Sequence, residues 1–248
     1  NTSGRKGIFE FGENFFFTKS KTSNLTGNPW ANFISMPPTI PVYDADHRGG
    51  WGYGDPDRAN TYALNPIAQN EILHGDKSQQ YLYGDIFGKV DIIPGILNAK
   101  VNFSYKNYFG ETSTLRKKGN WTMGQGDDAA YISYSTSKHD KILVEPTLNY
   151  AQKIGKNDIS AVAGYSYDYF HEEYRGETKL DPLVIGDKYI TSFNSATGTQ
   201  TCTGSYIEHL LMSYFARINY SFDDRYLIQL TGRRDGTSRL PKTTRWSS

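Results

Sequence analysis

The residues best suited to touching a ligand lie in one run, Gly49-Gly50-Trp51-Gly52-Tyr53-Gly54-Asp55-Pro56-Asp57. Its glycines bare the backbone, and Trp51 and Tyr53 offer flat faces to a sugar ring or a peptide side chain. Asp55 and Asp57 could accept hydroxyl protons or lend oxygen ligands to Ca²⁺. The same pattern also suits a folded loop whose aromatics pack on neighbouring loops. It is not a phosphate loop, because no Gly-Lys-Ser/Thr follows and no helix is expected there.

Nothing in the chain reads as an enzyme. The five histidines, His47, His74, His139, His171 and His209, are scattered singly, whereas zinc sites need clustered ligands. Glu172-Glu173 and Asp127-Asp128 are adjacent carboxylates, which a strand sends to opposite faces, so neither pair forms an acid/base couple by itself. Cys202 is the one cysteine; it sits among Thr, Gly and Ser and reads as a bystander thiol. No catalytic residue, metal or cofactor is expected. Lys and Arg number 27 against 26 Asp and Glu, a net charge of +1 that gives no electrostatic case for nucleic acid.

The elements that would hold the Trp51 run follow a rhythm. Short turns at Ile93-Pro94-Gly95-Ile96, Lys153-Ile154-Gly155-Lys156 and Asp223-Asp224-Arg225 alternate with long connections at about 19–79, 110–140 and 174–205. In an up-and-down sheet, alternate turns lie at opposite ends, so one end is trimmed and the other elaborated. That asymmetry belongs to outer-membrane β-barrels, which have short periplasmic turns and long outer loops. The 19 Tyr, 13 Phe and 24 Gly suit strands, girdles and turns. Mean hydropathy is −0.62 and no run of eighteen apolar residues occurs, which excludes a transmembrane helix but not a barrel, where only alternate residues meet lipid.

Parity tests each hairpin, because both strands must send apolar side chains to one face. Leu82, Gly84, Ile86, Gly88, Val90 and Ile92 must face Leu97, Ala99, Val101, Phe103 and Tyr105, so an even loop is predicted: Ile93–Ile96, or two residues if Ile93 pairs with Ile96. Ile142, Val144, Pro146, Leu148 and Tyr150 face Ile159, Ala161, Ala163, Tyr165, Tyr167 and Tyr169, again across an even loop, 153–156. Pro146 cannot donate to a ladder, so a bulge or local break is predicted there. Tyr214, Ala216, Ile218, Tyr220 and Phe222 face Tyr226, Ile228, Leu230 and Gly232, which requires an odd loop, Asp223-Asp224-Arg225. A three-residue loop of the G1 type would want Gly where Arg225 stands.

The opposite faces are polar, with Asn98, Lys100, Asn102, Ser104 and Lys106 on one strand and Arg217, Asn219 and Ser221 on another. A soluble sandwich would alternate in the same way, so a secreted β-sandwich carbohydrate-binding module using Trp51 and Tyr53 is the alternative. Loop length and one-sidedness favour the barrel, as do Tyr165, Tyr167, Tyr169, Tyr81 and Tyr83 at girdle positions near strand ends. A first strand at about 7–18 carries Phe9, Phe11, Phe15 and Phe17 with Glu13 among them, and its preceding partner is expected to be absent. Seven strands with open edges cannot close in lipid. Residues 1–248 are therefore expected to form a partial β-barrel domain.

The stretch Tyr214-Phe215-Ala216-Arg217-Ile218-Asn219-Tyr220-Ser221-Phe222-Asp223-Asp224-Arg225-Tyr226-Leu227 leads into Arg233-Arg234-Asp235-Gly236-Thr237-Ser238-Arg239 and then Arg245-Trp246. This resembles the SusC/RagA family of TonB-dependent outer-membrane transporters, whose pattern runs close to YFARxNYxxxDRYL, RRDGSSRF and NRW. Thr237, Leu240 and Thr244 depart from it. Met36-Pro37-Pro38-Thr39-Ile40-Pro41-Val42-Tyr43-Asp44 and Asn65-Pro66-Ile67-Ala68 look like a long outer loop of the same family. The resemblance implies a plugged barrel of about 22 strands, a SusD-like lipoprotein lid, energy from the TonB complex, and oligosaccharide or peptide cargo. It makes this chain a middle portion of the wall, without plug, TonB box or closing strands. Trp30 and Trp121 would then lie in outer loops, near cargo or lid. Arg116-Lys117-Lys118 would be a loop tip within reach of anionic lipopolysaccharide. Arg233, Arg234 and Asp235 would form a charge network at the wall, with Arg233 facing the lumen.

Overall fold

The computed structural model describes residues 2–25, 29–47, 50–54, 65–119 and 129–247. In chain order the elements are β1 (Thr2–Lys6), β2 (Phe9–Leu25), α1 (Pro29–Ser35), α2 (Pro66–Ile72), β3 (Leu73–Ile93), β4 (Leu97–Arg116), β5 (Tyr131–Ile154), β6 (Asn157–Leu180), β7 (Val184–Ile185), β8 (Lys188–Tyr189), β9 (Gln200–Phe222), β10 (Tyr226–Thr237) and β11 (Trp246–Ser247). Nine strands form one antiparallel sheet in the order β1-β2-β3-β4-β5-β6-β9-β10-β11, and β7 and β8 make a small separate hairpin. Each strand pairs with its sequence neighbour, so the sheet is an up-and-down meander. The expected count of seven is corrected to nine. The first strand does have a preceding partner: β1 pairs with β2 from Thr2↔Glu13 to Lys6↔Phe9, around Gly7-Ile8.

Strands β3, β4, β5, β6 and β9 run 20 to 24 residues. The outer connections are accordingly shorter than expected, at 26–72, 117–130 and 181–199. Apolar alternation fades where both faces of the sheet meet water, but backbone pairing continues well beyond that level. Side-chain pattern reports the membrane band; ladder hydrogen bonds report the strand.

The three parities hold, with two loop lengths revised. At β3–β4, Asp91↔Asn98 is followed by Ile93↔Leu97, so Ile92 is an extra bulged residue and the loop is Pro94-Gly95-Ile96. A three-residue loop plus one bulge gives the same net parity as an even loop. Ile96 N–H donates to the Ile93 carbonyl at 3.0 Å, and Gly95 has φ +77°, the pattern of a type II turn with Pro then Gly at its centre. At β5–β6, Ile154 pairs with Asn157, leaving the two residues Gly155-Lys156 rather than four, and Gly155 alone takes a positive φ of 58°. Two-residue hairpins favour such mirror-type turns because their twist matches the strands. At β9–β10, Phe222↔Tyr226 leaves Asp223-Asp224-Arg225, as predicted. Both aspartates adopt φ 53°, and Arg225 N–H donates to the Phe222 carbonyl at 3.0 Å. The left-handed positions are therefore the first two, which short polar side chains tolerate, and Arg225 needs no glycine.

Pro146 breaks the β5–β6 ladder between Val144↔Tyr167 and Thr147↔Gly164 without shifting its register. A missing donor interrupts pairing; no residue is inserted.

The sheet has two unlike faces. Phe15, Leu230, Phe9 and Ile228 are each more than half exposed on the apolar face. Among the described residues the buried hydrophobics are Ala68, Ile72, Ala130, Ile132 and Ala196, all in or beside the outer connections. A sandwich would cover the apolar face with a second sheet, and β7–β8 is too small to do so. The alternative of a soluble module is set aside on that ground. An uncovered apolar band is what lipid requires.

Candidate functional site

On the polar face, cross-strand partners are linked across the sheet. Ser104 Oγ donates to Asp85 at 2.5 Å, Asn149 to Asn98 at 3.1 Å, Ser166 to Glu145 at 3.1 Å and Asn219 to Ser160 at 3.1 Å. Lys141 meets Asp168 at 2.8 Å, and Lys100 Nζ stands 4.5 Å from the centre of the Phe87 ring. Alternation puts all of these side chains on one side, so a closed barrel would carry them in its lumen. Arg233 lies there too, donating to Asp235 at 2.8 Å and to Ser213 at 3.2 Å, in line with its predicted side.

Five rings cross this face in a row. Tyr81 and Tyr108 lie 4.7 Å apart, Tyr108 and His139 5.1 Å, His139 and Phe170 6.4 Å, Phe170 and His209 4.7 Å. Arg239 Nη2 sits 3.2 Å from His209 Nδ1 at the end of the row. Each ring comes from a different strand, β3, β4, β5, β6 and β9. Sequence reasoning took the histidines one by one and so missed the row. The signal was present, since once register is known Tyr81, Tyr108 and His139 fall level, as do Phe170 and His209, with a two-residue diagonal step between them where His139 pairs with Glu172 and Phe170 with Lys141.

Tyr81 and Tyr83 were expected in a lipid-facing girdle, and this is corrected. They alternate with Leu82 and Gly84, so they occupy the polar face: Tyr81 beside Tyr108, Tyr83 beneath Lys106 at 5.3 Å. Tyr165, on the apolar face, pairs with Tyr214 at 5.1 Å, and Tyr214 with Trp246 at 5.8 Å. Tyr and Trp at that position suit an interfacial girdle.

The Trp51 loop is a folded unit. Tyr43 and Trp51 form a β-bridge and their rings lie 5.0 Å apart. Trp51 also packs on Ala68 and Ile72 of α2, while Tyr53 stacks on His47 at 4.2 Å. Asn65 ties the unit together. Its Oδ1 accepts from Ile67 and Ala68 N–H at 3.1 and 3.0 Å, and its Nδ2 donates to the Val42 and Gly52 carbonyls at 3.0 and 2.8 Å. An Asn cap followed by Pro66 at the first helical position starts α2. Those two residues announced a helix that the all-strand reading passed over. Asp55, Asp57 and Trp121 lie outside the described residues. Trp30 is exposed on α1.

On the outward side, at the height of the ring row, Asp140 is buried among polar groups. Tyr105 donates to it at 2.8 Å, Asn107 at 2.7 Å, and Lys138 and His171 approach to 3.0 and 3.5 Å. A carboxylate so hydrated by side chains does not belong in hydrocarbon, so the lipid band ends below this level.

No family model matches the chain. The chain is 28% identical over 249 residues to the TonB-dependent receptor SusC of Bacteroides thetaiotaomicron, covering 90% of this chain and 23% of that protein. It is 25% identical over 224 residues to the TonB-dependent receptor P26 of Formosa agariphila, covering 84% of this chain and 21% of that protein. Among solved structures it superposes on the RagAB peptide transporter with TM-score 0.73 at 14% identity, over 99% of this chain and 28% of that one. A RagAB peptide importer in its open-open state gives 0.72 at 17%, over 98% and 27%. The chain is thus similar to SusC and to RagAB, as its C-terminal motif suggested. It spans about a quarter of the length of these relatives, and its place is the outer membrane. This gives the two faces their meanings. Phe9, Phe11, Phe15 and Phe17 of β2 and Ile228 and Leu230 of β10 meet lipid, the Asn, Ser, Lys and Asp ladder lines the lumen, and the Asn65-tied unit stands at the outer end. Relatives of the SusC/RagA type in these comparisons are receptors and transporters rather than enzymes.

Proposed function

We propose that this chain forms part of the wall and outer loops of an active nutrient importer. Energy comes from the TonB complex, a SusD-like lipoprotein covers the outer mouth, and the cargo is an oligosaccharide or a peptide. Residues 1–248 act as one barrel domain that binds and passes cargo without making or breaking bonds in it. The observation that carries this reading is the two-faced sheet, apolar outward and cross-linked polar inward, which follows the RagAB barrel along almost its whole length. Trp51 and Tyr53, with Asp55 and Asp57 beyond them, lie in an outer loop that meets lid or cargo. The family's partners and energy source support this reading by analogy.

The test is uptake by cells. A strain lacking the gene is offered fluorescently labelled oligosaccharides and peptides too large for porins, and the full-length receptor is purified from a tagged strain. Loss of uptake of at least one cargo, with a surface lipoprotein co-purifying, is expected. Unchanged uptake of every labelled compound would overturn the reading, and conversion of cargo by the purified receptor would contradict the absence of chemistry.

A further inference from the structure

We propose that the row Tyr81, Tyr108, His139, Phe170 and His209 is a saccharide-binding rail on the lumen wall, taking a neutral oligosaccharide across the strands. This rests on the importer reading and adds a contact surface to it. Height places the row first. Its members stand 11 to 15 residues above the short turns of their hairpins. At about 3.3 Å per residue and a tilt near 40°, that is roughly 30 Å, above a lipid band of about 25 Å. The polar shell around Asp140 on the outward side marks the same level independently. The rail therefore faces the outer part of the lumen, where arriving cargo passes.

Chemistry then selects the occupant. The five rings follow strand spacing of about 4.8 Å, which makes the row roughly 20 Å long. All five are partly open, so ring faces and edges remain available. Tyrosine hydroxyls and imidazole nitrogens lie at the edges of faces that suit sugar C–H surfaces, the combination that recognises an amphipathic ring. Gln79 Nε2 already holds the Tyr108 hydroxyl at 2.9 Å, which fixes that ring. A peptide would need main-chain partners, yet the strands here are paired on both sides, at Tyr81↔Tyr108, Tyr108↔His139 and Phe170↔His209. Adding a strand is thus closed to it. The neighbouring Lys141 and Asp168 neutralise one another, and Glu172, level with His139, and Arg239, beside His209, are of opposite sign, so these flanking charges sum to zero, which favours uncharged cargo.

The experiment uses the full-length receptor in detergent, titrated with an array of neutral oligosaccharides of four to eight sugars and with a casein peptide digest. Phe170→Ala and His139→Ala are expected to weaken oligosaccharide binding by about tenfold each, as loss of one aromatic contact does. Phe170→Trp keeps a stacking face and restores binding; Phe170→Leu fills the space without one and does not. Tyr165→Ala, on the lipid face, leaves binding unchanged. Heat-modifiable migration on gels confirms that each variant is folded. Unchanged oligosaccharide affinity in both row variants overturns the proposal, as does binding of peptides alone or of nothing on the array. Those results leave the importer reading intact, because that reading fails only if deletion of the gene leaves uptake unaltered.

Discussion

Arg217 and Ile218 are neighbours on β9, and the fold assigns one to the lumen and the other to lipid. Ile218 pairs with Ala161 and Leu230, and Arg217 with Val162 and Thr231. Four residues separate Ile218 from Phe222 at the turn, which at about 2.5 Å of height per tilted residue is roughly 10 Å into a band of about 25 Å. Arginine near the midplane of a barrel's lipid face costs about 2–4 kcal/mol. Ile218→Arg should therefore destabilise the folded receptor by about 3 kcal/mol, more than a hundredfold in its folding equilibrium. Arg217→Ile takes a charge from a watered lumen and should change stability by about 0.5 kcal/mol or less. The assay is urea-dependent folding of the full-length receptor into phospholipid vesicles, followed by tryptophan fluorescence and gel mobility. Equal costs for the two substitutions, or a larger cost for Arg217→Ile, would refute the assignment of faces and with it the barrel.

Three further outcomes are expected. Asn65→Ala removes a helix cap worth about 1 kcal/mol, leaves the Gly52 carbonyl without its Asn65 donor at about 1–3 kcal/mol, and takes one of two donors from the Val42 carbonyl, which keeps the Gly52 N–H, so hydrogen exchange in residues 36–54 should accelerate while barrel strands stay protected. Gly52→Ala should loosen the same unit, since an added Cβ would fall 1.7 Å from the Pro41 carbonyl oxygen, a backbone atom that cannot swing aside; unaltered exchange there would show that the unit is not built as described. Asp224→Gly relieves a left-handed position at an exposed turn and should stabilise the receptor by about 0.5–1 kcal/mol in the same vesicle assay.

Much of the fold was legible because alternation along a strand is a local property. Apolar residues at Leu97, Ala99, Val101 and Phe103 set a face by chemistry alone, and the face set the parity of every short turn. Loop lengths were less legible. The bulge at Ile92 and the two-residue Gly155-Lys156 turn satisfy the same parity as the loops read from sequence, so pattern could not separate them. The strand tops were missed because Ser, Thr, Lys and Gln in water carry no sidedness, and β1 was missed because its five residues are too few to alternate convincingly. The Trp51 loop was found as a composition. Its tilted ring contact with Tyr43 and the Asn65 clamp depend on residues outside the run itself.

The sequence by itself determined the sheet's two-sidedness, the alternation of short and long connections and the family motif at the third turn, because each resides in residues adjacent along the chain. Only the tertiary structure decided which residues stand level across strands. A shift of one residue in any register would have scattered Tyr81, Tyr108, His139, Phe170 and His209 and turned them toward lipid. Their meeting depends on turn geometry and ladder hydrogen bonding summed over five strands, which no single stretch of sequence carries.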